Sequence, residues 1–158
     1  MKTRNTIFAL AIAMALNLLA SCEIETSDNG HLDGLWHLEQ VDTLSTGGSA
    51  DYSKRYIFWG TQYKLMYVYD YENSGIGTYY LRFSQTSDSL HITKVYLNHW
   101  HEDSGMGGQG GDIPVETVND SIRHFGINEL PEGFAKEKLT GSNMILRSKT
   151  LRLKFKKF

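Results

Sequence analysis

From Gly34 onward the chain is dominated by a hydrophobic period of two. Tyr63, Leu65, Tyr67, Tyr69 and Tyr71 alternate with Gln62, Lys64, Met66, Val68 and Asp70. Tyr79, Leu81 and Phe83 alternate with Thr78, Tyr80 and Arg82, and Leu151, Leu153 and Phe155 with Arg152, Lys154 and Lys156. Alternation of this kind describes strands with one face buried and the other wet. Aromatic and β-branched residues crowd these runs, as suits a pleated, half-buried surface. The pattern predicts eight strands, at about 34–44, 54–60, 62–71, 77–85, 89–98, 133–139, 143–148 and 151–157. Turn residues separate several of them: Asn73-Ser74-Gly75 with Gly77, Thr86-Ser87-Asp88, Pro131-Glu132-Gly133 and Gly141-Ser142.

One segment keeps a helical spacing, through Val115, Val118, Ile122 and Phe125. Pro114 suits a first turn and Gly126 a position just past the end, so a helix of about ten residues is expected, laid over an open end or an outer face of the sheet. Eight antiparallel strands in one domain close into a barrel or split into a sandwich. Closure removes the exposed edges, and an up-and-down barrel is the expectation.

The N-terminal segment belongs to a different system. Lys2 and Arg4 precede an apolar run, Ile7 to Leu19, interrupted only by Asn17. That run is short for a membrane span of about 20 residues, and small residues follow it as in a secretory signal. Leu19-Ala20-Ser21-Cys22 resembles the bacterial lipobox at all its positions. The resemblance implies a signal peptide at 1–21, lipidation of the Cys22 thiol and acylation of the new amino terminus. An incidental cysteine beside an ordinary cleavage site, or an uncleaved anchor, would break the agreement of position, flanks and spacing. Cys22 is the sole cysteine, so no intramolecular disulfide can form. Stable anchoring needs more than one acyl chain, which triacylation supplies.

Of the 158 residues, 137 follow residue 21, enough for one domain with its own core. Loss of Lys2 and Arg4 takes the basic residues from 16 to 14 against 18 acidic ones, for a net charge of about −4 with His neutral. That balance argues against nucleic acid and against adsorption to an anionic lipid surface. Residues 22–33 read as the lipidated cysteine and a polar tether, of which Glu23 to Asp33 reach at most roughly 36–40 Å. The expected location is the cell envelope, lipid-anchored to the outer membrane on its periplasmic or surface face. Glu23 and Glu25 resemble the residues that direct some lipoproteins outward.

Gly34-Leu35-Trp36 opens the first strand, and Asn143 to Ser148 followed by Leu151 to Lys157 forms the last hairpin. Over residues 34–158 these features resemble the lipocalins, which begin their first strand with Gly-x-Trp, and the small lipocalin-like domains of unknown function in bacterial envelope lipoproteins. The resemblance implies barrel closure by a basic residue of the last strand stacked on Trp36, with Arg152 the first choice and Arg147 the second. Such a cation–π contact contributes about 0.5–2 kcal/mol. The long connection from 99 to 132 departs from the lipocalin pattern, in which the main helix follows the eighth strand.

Candidate chemistry is sparse. His99 and His101 would share a face of a continuing strand, and two imidazoles so spaced can hold zinc or copper, with Asp103, His91 or His124 as a third ligand. The other reading is a polar loop with solvated histidines, and no metal or other cofactor is assigned. Gly105 to Gly110 matches Gly-x-Gly-x-x-Gly, but no buried strand precedes it and Gly111-Asp112 intervenes before any helix, which excludes a dinucleotide site. Five glycines at 105–111 leave either a lid over a barrel mouth or a connector. Tyr63, Tyr67, Tyr69, Tyr79 and Trp100 are candidates to line a ligand site, since an eight-stranded barrel either fills itself or encloses one small ligand. The alternative is that one aromatic face packs the core and the other lies on the surface. Nucleophile elbows, zinc-protease helices and a free nucleophilic cysteine are missing, so no enzyme is expected. Two functions remain: binding a small apolar or amphipathic ligand or a glycan fragment at the barrel mouth, or serving as a filled-barrel subunit for an envelope protein partner.

Overall fold

The alternating runs fold into strands that close on themselves. The computed structural model describes residues 27–99 and 111–158. Cys22, Trp100 and His101 lie outside the described residues, as do the signal segment and most of the glycine-rich loop. The strands are β1 (Gly34–Thr43), β2 (Gly48–Asp51), β3 (Ile57–Gln62), β4 (Leu65–Asp70), β5 (Tyr79–Gln85), β6 (Ser89–Leu97), β7 (Ile113–Val115), β8 (Glu132–Leu139), β9 (Asn143–Arg147) and β10 (Leu151–Lys157), with one helix, α1 (Asp120–His124). Eight of them form an antiparallel ring in the order β1-β3-β4-β5-β6-β8-β9-β10, and β10 pairs back onto β1. This is the expected barrel.

The two short strands were not anticipated, and edge geometry explains them. β1 is longer than its neighbour: Gly34–His37 pair with β3, and Gln40–Thr43 would be left open but for β2. β6 has the same excess: Ser89–Ile92 pair with β8, and Val95–Leu97 are covered by β7. Each short strand satisfies a row of backbone groups that an open edge would expose.

β7 also corrects the expected helix. Pro114 and Val115 are spent in a strand, so the helix begins only after Asn119, whose side-chain oxygen accepts the Ile122 amide hydrogen at 3.0 Å. Gly126 ends it at φ 83°, where a Cβ would approach Leu153 Cδ1 to 2.8 Å.

Both ends of the ring are stoppered. At the mouth, α1 and the turn after it bury Ile122, Phe125 and Ile127, and Trp59 Nε1 donates to the Phe125 carbonyl at 3.2 Å. His124 Nε2 is hydrogen-bonded to the buried Asp70 carboxylate at 2.8 Å, and the Glu72 and Asn73 amides donate to the same carboxylate's other oxygen. At the base, a 3-10 turn at Gly30–Leu32 inserts Leu32, whose carbonyl accepts from Trp36 Nε1 at 2.8 Å. Residues 27–33 are therefore part of the folded domain and not of a tether: Asn29 Nδ2 donates to Asp33 Oδ1 at 2.8 Å, and Leu32 is fully buried. Between the stoppers, Trp36, Trp59, Leu81, Phe134 and Phe155 join one continuous core.

The closing cation is Lys157, a correction to Arg152. Lys157 Nζ lies 5.1 Å from the Trp36 ring centroid, and the two residues face each other in the β1–β10 register. Parity explains the choice. Leu153 and Phe155 point inward, so Lys157 shares their face, whereas Arg152 points out. Arg152 instead pairs with Glu137 and reaches Asp42 at 3.7 Å, within an outer seam that also holds Arg147 and Lys154.

Replacing Lys157 by Ala is expected to cost about 0.5–2 kcal/mol in denaturant melts. Arg152→Ala, on the solvated seam, is expected to cost less than about 1 kcal/mol; the reverse order would restore Arg152 as the closing residue. Asp42 gives a second test. Hydrogen bonds from Gln40 and Ser49, and then Lys154, pull its carboxyl from 3.8 to about 2. A depressed carboxylate adds stability that is complete above its unfolded value and is lost as pH falls toward the folded one. Asp42→Asn is expected to flatten the loss of stability between pH 3.8 and about 2, measured by acid titration of the unfolding free energy.

Candidate functional site

Cross-strand register decides which side chains reach the outside. Ile57, Trp59 and Thr61 of β3 stand opposite Asp70, Val68 and Met66 of β4, and all six are buried. The other parity pairs Phe58 with Tyr69 and Gly60 with Tyr67, on the outer face. Tyr67 lies flat over Gly60, where an added Cβ would meet its ring at 2.1 Å. Only glycine leaves that space.

Tyr67 and Tyr69, expected to line a lumen, therefore lie outside it. Tyr63 is also outside. It forms the β3–β4 turn at φ 53°, held where the Asn29 side chain donates to its carbonyl. Positive φ is uncommon for an aromatic residue. Tyr79 does face inward, buried against Phe125 at 6.0 Å between ring centroids, as part of the core.

The outer face is aromatic across several strands. Tyr67 stacks on Tyr69 at 5.6 Å, Tyr69 on Phe58 at 5.4 Å, and Tyr71 meets Tyr69 edge-on at 4.6 Å. Phe158 packs edge-on against Phe58 at 5.3 Å and is itself 83% exposed. Partial burial, followed by the Tyr71 hydroxyl, raises the Tyr69 phenol well above its ordinary pKa. Offset and edge-on pairs of this kind add about 0.5–1.5 kcal/mol beyond area burial.

Next to this stack runs a row of tyrosines. Tyr67 faces Tyr80 across β4–β5, and Tyr80 faces Tyr96 across β5–β6. A parallel row follows: Leu65 faces Arg82, and Arg82 faces Lys94. Two clefts meet between the rows. One, of about 540 Å³, lies among Ser27–Asn29, Gln62–Leu65, Tyr67 and Arg82. The other, of about 510 Å³, is walled by Leu65, Tyr80, Arg82, Tyr96 and Asp112. They adjoin at Leu65 and Arg82, and this pair of clefts is the groove of the outer face.

The lining carries Lys64 and Arg82 against Asp28 and Asp112. Arg55, Arg123, Arg147 and Arg152 each have a carboxylate within ion-pair distance, whereas Arg82 has no such partner among the described residues. Like charges directly opposite on a sheet destabilise it, and Arg82 stands opposite Lys94. The Asp112 carboxylate, at the far end, accepts the His99 amide hydrogen at 3.2 Å.

The histidine cluster is not assembled among the described residues. His99 Nδ1 is buried without a hydrogen-bond partner, His124 is engaged by Asp70, and His91 lies on β6, roughly 20 Å of strand below Leu97. No group of three or more His, Cys, Asp or Glu suited to a metal occurs among the described residues. No helix among them is long and apolar enough to cross a membrane.

Sequence reasoning missed Arg82 and Lys94, and counted Tyr80 and Tyr96 with the tyrosines whose faces could line a cavity rather than with an outer groove. The signal existed. Tyr79 and Leu81 are inward, which turns Tyr80 and Arg82 outward by parity alone.

Two solved structures share the fold. A lipocalin-like protein from Bacteroides uniformis is 20% identical with a TM-score of 0.56, over 82% of this chain and 100% of that one. An uncharacterised protein from Bacteroides eggerthii is 22% identical with a TM-score of 0.55, over 80% of this chain and 99% of that one. No curated protein matches the chain. The closed ring, the Gly34-Leu35-Trp36 opening and the cation over Trp36 agree with a match to the lipocalin-like domain family across residues 17–158, and the chain belongs to that family.

Proposed function

We propose that this protein is a non-enzymatic binding domain of the cell envelope, anchored to the outer membrane through lipidated Cys22, that engages its partner with the outer aromatic face of β3–β6. In this reading the lumen is structural. The observation that carries it is the filled interior: Trp36, Trp59, Phe125 and Phe134 are at most 1% exposed and leave the tyrosines of β4 on the outside. A ligand inside the barrel would have to displace Phe125 and Ile122, which α1 and the Trp59 hydrogen bond hold across the mouth. Among the described residues the groove lies on the outer face, where α1 does not cross it. Exposed aromatic rings clustered in this way mark interaction surfaces more often than isolated ones do. The filled-barrel interaction subunit is thus better supported than a carrier of a small apolar ligand in a barrel mouth.

The anchor is supported by Leu19-Ala20-Ser21-Cys22 behind a short apolar run and by the absence of any competing role for the sole cysteine.

Hydroxyl-radical footprinting tests the outer-face reading. Tyr67, Tyr80 and Tyr96 are expected to be labelled less in intact envelopes than in the purified full-length protein, with Tyr56 labelled equally in both. Equal labelling at all four, together with a native mass that falls on organic extraction, would return the function to the lumen. For the anchor, Cys22→Ser is expected to move the protein from the carbonate-washed membrane fraction to the soluble fraction. Retention in the membrane would exclude lipidation as the attachment.

A further inference from the structure

Taking the Cys22 anchor as its basis, we infer that the base of the barrel is a membrane-facing surface, with the Tyr63-Lys64 turn seated among the lipid headgroups of the bilayer that holds the anchor.

Chain length brings the base to the bilayer. Ser27 is tied to this end of the ring. Its hydroxyl donates to Asp33 Oδ1 at 2.9 Å, Asn29 Nδ2 donates to Ser27 Oγ at 2.8 Å, and the same Asn29 side chain donates to the Tyr63 carbonyl. Only residues 23–26 separate Ser27 from Cys22. From Cys22 to Ser27 the chain spans at most roughly 16–18 Å, less than half the reach of a tether running to Asp33. The wall of the barrel is longer than that. β4 runs from Leu65 at the base to Asp70 beneath the mouth, roughly 20 Å of strand, and His124 of α1 packs beyond it on the Asp70 carboxylate. A lipid on Cys22 cannot hold the mouth against the bilayer, because the connecting chain would be used up along the wall. The base is the near end.

The residues around the exit suit a headgroup layer. Ser27 leaves the fold beside a cleft walled by Leu35, Gln62, Tyr63 and Tyr67. Tyr63 is 46% exposed there, and Phe158, whose amide donates to the Leu35 carbonyl, is exposed on the adjoining strand. Tyrosine places an apolar ring and a polar tip at the boundary between headgroups and acyl chains. The backbone adds to the point. At φ 53° a glycine would sit without strain, yet an aromatic residue occupies the position. Lys64 beside it is exposed and carries its charge outward on a flexible apolar stem. Lysines and carboxylates are mixed at this end, where Lys64, Lys136 and Lys157 stand with Asp28, Asp33 and Asp88. Proximity and the tyrosine ring therefore hold the surface, and attraction to anionic lipid does not. With the base down, the wall of β3–β6 stands upright and its groove faces along the bilayer, accessible to a partner.

The test is nitroxide relaxation in the full-length acylated protein, in phosphatidylcholine vesicles carrying nickel-chelating headgroups. With the Cys22 thiol acylated, Gln62→Cys labels the base, and Ser45→Cys labels the β1–β2 turn at the mouth, beside Thr150. The label at 62 is expected to relax severalfold faster than the label at 45. Tyr63→Gly, which suits the positive φ and keeps the turn, is expected to weaken the effect at 62 severalfold, whereas Tyr71→Ser, at the mouth, leaves it unchanged. Equal relaxation at the two sites, faster relaxation at 45, or indifference to Tyr63→Gly would overturn the assignment. A label at 62 that is unrelaxed by lipid but shielded in intact envelopes would also overturn it, and would give the base to a protein partner. The acyl mass of the same preparation separates this failure from that of its basis. An unacylated Cys22 would remove the anchor itself, whereas an acylated protein on the vesicle with an unrelaxed label at 62 would remove only the membrane-facing surface.

Discussion

Pairing of the last strand with the first is the constraint on which the rest of the structure depends. It turns an open sheet into a ring and removes both terminal edges at once. It sets Trp36 against Lys157, so that one cation caps the base and one indole fills it. An eight-stranded ring is just wide enough to be filled by side chains. Here two tryptophans, three phenylalanines and the aliphatic residues of the ring strands do so.

A full lumen changes where recognition can occur. The tyrosines left outside are organised, because the register that buries Val68 against Trp59 also lays Tyr67 over Gly60 and Tyr69 over Phe58. The same inside-outside coupling runs on through β5 and β6. Burying Leu81 and Val95 presents Tyr80, Arg82, Lys94 and Tyr96 on the outside. Core packing and the outer groove are thus two consequences of one register. The seam over β8–β10 is held by ion pairs to Glu137 and Asp42, whereas Arg82 in the groove has no ion-pair partner among the described residues.

Much of this was legible along the chain. β4, β5 and β10 announce themselves by alternation, and β10 is read to the residue, whereas β3 is apolar on both faces from Ile57 to Trp59 and carries no alternation. Gly34-Leu35-Trp36 marks the strand that begins the closure. The identity of the closing cation was also within reach, since Lys157 continues the inward parity of Leu153 and Phe155. The family resemblance directed attention to arginine instead. The short strands β2 and β7 carry no alternation long enough to notice; they exist because β1 and β6 outrun their neighbours. The helix was read too long because Val115 and Val118 keep a helical spacing that β7 overrides by pairing with β6.

The chain alone determined the number and order of the ring strands, the antiparallel barrel and the residues available to anchor it. Local alternation together with the turn residues between runs is enough for that, because alternation records which positions differ in polarity. It does not record which side is inside when both are apolar. In the run from Leu65 to Tyr71, Met66 and Val68 compete with Tyr67 and Tyr69, and a slip of one residue exchanges the two sets. Only the tertiary structure decided between them. The register with β3 places Trp59 against Val68 inside and Gly60 beneath Tyr67 outside, and in doing so it filled the lumen and built the groove.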